Sequence, residues 1–234
     1  MSYNSIKSAI KQQSNPSRAK ISQSFFKTGK GEYGEGDIFL GLTVPQCRET
    51  AIKFKTLSLN DVESLLNSKI HEERLISLLI LVHNYEKSPE KRKEIFDFYI
   101  NHLKFVNNWD LVDLSASRIM GNYLLDKDKL ILYNLAKSRN LWEKRVSIIS
   151  TLAFIYNNKF EDTLKITAVL MQDKHDLIHK ACGWMLREVG KKDKSALVLF
   201  LKKHYKLMPR TMLRYSIERF PETERKAYLK GTVK

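Results

Sequence analysis

The sequence predicts an all-α fold, an α-solenoid of stacked helix pairs, on three observations. Only 9 Gly and 5 Pro punctuate 234 residues, too few turn-formers for a chain of many short strands. Apolar residues recur at helical spacing, as in Leu75, Leu78, Leu79 and Val82, which share one face of a helix but would fall on both faces of a strand. The third observation is a repeat. Aligning EERLISLLIL, NWDLVDLSAS, WEKRVSIISTL and LIHKACGWML brings Arg74, Trp109, Arg145 and Lys180 into register at intervals of 35, 36 and 35 residues. Leu78, Asp113, Ile149 and Trp184 follow one helical turn later. Units of about 35–47 residues are the period of HEAT-like and related helical repeats, which bury apolar faces against their neighbours and leave a concave surface.

Element by element, one domain is expected over 1–234, with N-terminal helices in 1–27, a glycine-rich loop at 28–37 and stacked helix pairs over about 45–230. Asn60 with Glu63 reads as a capping pair ahead of Val62, Leu65 and Leu66. A helix is expected over Ile70 to Tyr85, and another from Ser88 and Pro89, with proline in its first position, to about Phe105. Further helices are expected at about 109–125, 128–138, 141–156, 160–172, 174–189, 193–205, 209–219 and 221–230. In the loop, Gly29, Gly31 and Gly34 have G-x-G-x-x-G spacing. A dinucleotide fingerprint needs a preceding strand and a βαβ unit, which flanking helical patterns do not provide. The loop reads instead as a mobile connector able to lie close to a ligand backbone.

With 43% hydrophobic residues the chain can build a core. Two cysteines, Cys47 and Cys182, are too few for a disulfide framework or a cysteine zinc site and read as packing residues. No apolar leader is visible at the start, and uninterrupted apolar runs such as Leu78 to Val82 are far too short to span a bilayer. A soluble, unexported protein is therefore expected. The formal charge is +15, distributed as +5 over residues 1–55, zero over 56–173 and +10 over 174–234. Basic ends around a neutral middle suit an elongated protein that grips a polyanion, so nucleic acid is the expected partner and the concave face a DNA-binding face. A membrane surface would call for a basic amphipathic helix with a bulky apolar face, which the basic segments lack. His175 and His179 are spaced i, i+4 but have no third ligand in the zincin pattern, so no metal site is assigned.

If the repeat holds, Trp109, Asp113, Arg145, Lys180 and Trp184 face one strip of the superhelix. Asp113 stands at a station otherwise filled by Leu, Ile and Trp, where a buried acid would cost stability; such a violation is expected at a functional site. Trp109 and Asp113, four residues apart, are neighbours on one helix face and can address one ligand together. Arg74, Lys144, Lys180, Arg187, Arg210 and Arg214 are the candidate phosphate contacts.

The run Asn107, Asn108, Trp109, Asp110, Leu111, Val112, Asp113, then Leu141, Trp142, Glu143, Lys144, Arg145 and later Gly183, Trp184, Met185, Leu186, Arg187, Glu188 resembles the AlkD-type DNA alkylation repair glycosylases. Those are all-α proteins of HEAT-like repeats. Phe39, Leu40, Gly41, Leu42, Thr43, Val44, Pro45 with Arg48 is similar to the family's N-terminal signature, so the resemblance covers about residues 20–220. It implies a catalytic cleft lined by Trp109, Asp113, Arg145 and Trp184. It also implies hydrolysis of the N-glycosidic bond of cationic N3- and N7-alkylpurines in duplex DNA, worked from the sugar side with the lesion left in the stack. Asp113 would stabilise charge on the sugar and position water, the tryptophans would pack on the sugar, and Arg145 would hold a phosphate. The expected partner is duplex DNA carrying alkylated purines, with no cofactor, metal or membrane. The chain would act as a monomer in the cytoplasm, at the nucleoid. The alternative is a non-catalytic helical-repeat protein that binds DNA by shape or branching.

Overall fold

Turn residues and caps cut the chain into short helices in the places where side chains can take over the orphaned backbone groups. The computed structural model describes residues 1–233. Its helices are α1 (Tyr3–Gln12), α2 (Pro16–Phe25), α3 (Val44–Lys53), α4 (Leu59–Leu66), α5 (His71–Lys87), α6 (Arg92–Asn101) and α7 (Trp109–Ala116). They continue with α8 (Asn122–Leu124), α9 (Leu130–Ala136), α10 (Leu141–Ser150), α11 (Leu152–Tyr156), α12 (Glu161–Leu170), α13 (Asp176–Lys192), α14 (Lys194–His204), α15 (Arg210–Ser216) and α16 (Glu222–Lys230). Among the described residues the only β feature is one isolated parallel bridge, Ile38 to Ile70, so the expected all-α class is observed. No described helix is long and apolar enough to cross a membrane.

Several helix ends differ from the sequence expectation for local reasons. The N-cap of α4 is Ser58, whose hydroxyl accepts from the Asp61 N–H at 3.2 Å, two residues before the expected Asn60. Pro89 opens a 3-10 turn, Pro89–Lys91, ahead of α6. The helix expected over 141–156 is split at Thr151, whose hydroxyl donates back to the Ile148 carbonyl at 2.7 Å. Ser150 does the same to Val146, and such back-bonding bends helices. After α7 the backbone widens into a π-helical turn, Ser117–Gly121. A Cβ on Gly121 would lie 2.1 Å from the Ser150 carbonyl oxygen, so this turn needs glycine.

Two compact units divide the chain, residues 1–115 and 116–234. The first is organised around α5, in which every residue from His71 to Val82 is buried. A helix buried on all sides belongs at the centre of a core, and α3, α4 and α6 pack around this one. Ile6 and Ile10 of α1, Leu65 and Leu66 of α4 and Tyr99 of α6 complete that core. In the second unit α13 holds the equivalent place, with α10, α12, α14 and α15 against it. Gly183 lets α15 approach: a Cβ there would stand 2.6 Å from the Met212 carbonyl oxygen.

Candidate active site

In the first unit the start of α5 reads His-Glu-Glu-Arg, and all four side chains are buried. Unpaired, they would unfold the unit; each has a partner. Glu72 accepts the backbone N–H groups of Leu40, Gly41 and Leu42, at 3.0, 2.7 and 3.2 Å, and so clamps the loop before α3. Gly41 sits there at φ 85°, with the Asn15 carbonyl 2.2 Å from where a Cβ would be. Glu73 takes Lys7 from α1 at 2.7 Å. Arg74 lies 2.7 Å from Asp37 and donates to the Ser68 carbonyl.

His71 is the hub. Its Nδ1 is 3.0 Å from Asp37 Oδ2 and its Nε2 is 2.8 Å from Asp110 Oδ2. Two carboxylates on two ring nitrogens demand two protons, the imidazolium form. Burial opposes that charge, but the Asp110 carboxylate and the bonds to both aspartates outweigh it and push the pKa up to about 9. Asp37 is also penalised by burial, yet His71 and Arg74 together hold it below the usual carboxylate range. Asn108 closes the network, donating to Asp37 at 3.3 Å and accepting the Trp109 N–H at 2.8 Å.

A column of rings continues from this hub to α7. Phe39 lies on His71 with centroids 4.5 Å apart, and Phe26 on Phe39 at 4.8 Å. Phe26 stacks on Trp109 at 5.1 Å and 8°. Phe25, 63% exposed, meets the indole edge-on. Trp109 is thus held by its face and remains half-buried; Asp113, one turn along α7, is half-buried too. Behind them the Tyr99 hydroxyl bonds Ser115 at 2.9 Å, and burial raises its pKa, with the Asp113 charge adding to the shift.

The glycine-rich loop is bound to itself rather than free. Gly29 donates to Glu32, Gly31 to Glu35, and Gly34 to the Lys27 carbonyl. A Cβ on Gly34 would meet the Phe26 carbonyl at 2.4 Å. The loop expected at 28–37 thus carries bonds of its own, and Phe26 just before it and Asp37 at its end both meet the His71 hub.

In the second unit Arg145, on α10, is 5% exposed and donates to the Leu177 carbonyl at 2.6 Å. Next to it Lys144 pairs with Asp173. Asp173 also receives the His175 N–H, and its carbonyl takes His179 Nε2. His175 in turn caps α13, so these histidines serve the helix terminus. Trp184 is half-buried, its indole N–H directed to Glu188 at 3.2 Å. Glu188 also gathers Arg187 and Lys191, and Arg187 reaches Glu218.

Of the candidate phosphate contacts, Arg74 is corrected: 3% exposed and engaged with Asp37, it has no face to offer a phosphate. Lys144 and Arg187 are mostly covered and ion-paired. Lys180 is on the surface, 2.7 Å from Asp176. Arg210 and Arg214 are exposed; Arg214 lines a cavity of about 300 Å³ with Tyr215, Glu218, Arg225 and Leu229. The repeat stations also divide: Leu78 and Ile149 are fully buried, while Asp113 and Trp184 are half-buried. The matched positions therefore do not form one uniform strip. His71, Asp37, Asp110 and Phe26 escaped the sequence reading, and the one local signal for them was the charged HEER cluster opening an otherwise apolar helix. Among the described residues no cluster of three or more His, Cys, Asp or Glu is arranged to hold a metal.

Among solved structures the fold is similar to one described as a predicted DNA alkylation repair enzyme from Enterococcus faecalis, with a TM-score of 0.69 and 16% identity, over 90% of this chain and 98% of that one. It is also similar to smu.31 from Streptococcus mutans UA159, with a TM-score of 0.52 and 18% identity, over 88% and 96% of the two chains. A search of curated proteins finds no match. The family model described as DNA alkylation repair enzyme matches residues 6–220. That span takes in both units, and this chain belongs to the DNA alkylation repair enzyme family.

Proposed function

We propose that the chain is a DNA glycosylase that hydrolyses the N-glycosidic bond of cationic N3- and N7-alkylated purines in duplex DNA. The observation that carries this reading is the Trp109–Asp113 pair: one turn apart on α7, both half-buried, with the indole held face-on by Phe26. An alkylated purine already bears a positive charge. When its bond to C1′ breaks, the electron pair goes to the base, which departs neutral and needs no strong general acid. Positive charge is left on the deoxyribose, and water attacks C1′.

Asp113 is suited to stabilise that charge and to accept a hydrogen bond from the water. One well-aimed group of this kind contributes roughly 3–4 kcal/mol. A tryptophan face attracts cations by about 0.5–2 kcal/mol, which suits Trp109 beside an oxocarbenium-like sugar. His71 does not supply an acid, because both its nitrogens are engaged by buried carboxylates. Trp184 keeps its proposed place from its matching position and half-exposed ring. Arg145, buried and bonded to the Leu177 carbonyl at the start of α13, is not given the phosphate-holding role. Exposed Arg210 and Arg214, with Lys202, Lys203 and Lys206, supply positive surface for DNA.

The test is base release from two duplexes, one carrying N7-methylguanine and one carrying uracil. Free N7-methylguanine with no uracil release is expected, since a neutral base leaves poorly without an acid. Comparable release of uracil overturns the mechanism. Salt-sensitive binding with no base released from either duplex would make the chain a non-catalytic reader of DNA shape.

A further inference from the structure

We propose that His71 is a positioning residue for Trp109, locking the plane of the indole and the entry of α7 through a closed ring of contacts that also anchors both ends of the glycine-rich loop. This rests on the reading of Trp109 as a ring that touches the ligand. Three independent constraints run from the hub to that residue. Asp110, bonded to His71 Nε2, is its next neighbour in the chain. Asn108, bonded to Asp37, holds its backbone N–H. Phe26, 5.0 Å from the His71 ring, stacks on the indole.

The loop is thereby given a purpose that its glycine spacing does not suggest. Residues 27–36 return the chain so that Phe26 at one end and Asp37 at the other meet the same imidazole. Gly34 permits the return by packing against the Phe26 carbonyl. The charged and titratable surroundings of the hub are Asp37 from the loop, Asp110 from α7, Arg74 and Glu72 from α5 itself and Cys47 from α3. Burial together with Glu72 and Asp110 pushes the Cys47 thiol up to about 12, so it stays neutral while His71 titrates near 9. Loss of the His71 proton leaves two carboxylates facing one donor, and the hub must shift.

The experiment follows Trp109 directly. Labelling with 5-fluorotryptophan gives three fluorine signals, one for each of the 3 tryptophans, with that of Trp109 assigned by its loss in Trp109→Phe. In the wild type the Trp109 signal is expected to move with a midpoint near pH 9. In Phe26→Leu, which keeps every polar partner of His71 but removes the ring packed on both the imidazole and the indole, the movement should shrink. A Trp109 signal that stays flat through about pH 10.5 in the wild type, or that titrates unaltered in Phe26→Leu, overturns the proposal. Neither result depends on catalysis, so failure of the glycosylase reading is seen separately, as absence of base release by the wild type. Where release occurs, Phe26→Leu should lower the single-turnover rate on the order of tenfold to a hundredfold, with the half-saturating concentration changed less than about twofold. An unchanged rate also counts against the proposal.

Discussion

The two units of this chain handle charge in opposite ways. Residues 1–115 carry 16 Lys/Arg against 14 Asp/Glu, a net +2. They bury six Asp, Glu, Arg or His side chains, Asp37, His71, Glu72, Glu73, Arg74 and Asp110. Residues 116–234 carry 25 against 12, a net +13. Among the described residues of that unit, Arg145 is the one charged side chain that is buried. Buried pairs contribute little net stability but penalise every arrangement that leaves one partner alone. Exposed like charges fix no geometry, yet they create a field that attracts a polyanion over a Debye length. The first unit is thus built to hold a few side chains in place, and the second carries the field that, on the proposed function, would draw nucleic acid.

The sharpest way to break this comparison is to remove a buried partner in the first unit. Arg74→Ala takes from buried Asp37 one of its two cationic partners, leaving His71 and Asn108, and should cost up to about 3–5 kcal/mol in urea unfolding, while the salt dependence of DNA binding stays unchanged. Unaltered stability with a shallower salt dependence would return Arg74 to the DNA-contacting set. Next in size is a pH effect. Folding raises the proton affinity of His71, so the folded chain keeps a proton that the unfolded chain releases above its ordinary value of 6.5. The resulting stabilisation is complete below about pH 6.5 and lost as pH rises through about 9, a decline on the order of 3 kcal/mol. Asp37 acts oppositely, its contribution vanishing as pH falls through and below the ordinary carboxylate range. Unfolding curves across this window should show the alkaline decline in wild type and not in His71→Gln.

Smaller effects are expected from the second unit. Arg210→Ala and Arg214→Ala should leave stability nearly unchanged and each reduce the slope of log affinity against log salt by about one. An unchanged slope in both would move the DNA surface elsewhere. Lys180→Met removes an exposed pair with Asp176 and should cost less than about 0.5 kcal/mol. Its salt slope decides whether Lys180 touches phosphate or only its own helix.

Periodic features were legible in the sequence because they are local. Helix existence, the apolar face of α5 and the Trp109–Asp113 spacing all follow from residues within one or two turns. Helix ends were less legible where side-chain bonds decide them, as with Ser58 capping α4 and Thr151 breaking the run after α10. The His71 hub was hidden for a different reason. Its partners lie 34 and 39 residues away in the chain, and no spacing rule connects an aspartate at the end of a loop to a histidine at the start of a helix. Arg74 was misread because repeat alignment gave it the station of Trp109 and Arg145. Alignment reports position along a helix, whereas burial in α5 is set by three packed neighbours.

The central claim, that the carboxylate of Asp113 drives base release, is tested most directly by Asp113→Asn in single-turnover release of N7-methylguanine, with affinity for the same duplex measured alongside. The account predicts a loss on the order of a hundredfold to a thousandfold in rate, with affinity held within about twofold. Equal release by both proteins would contradict it.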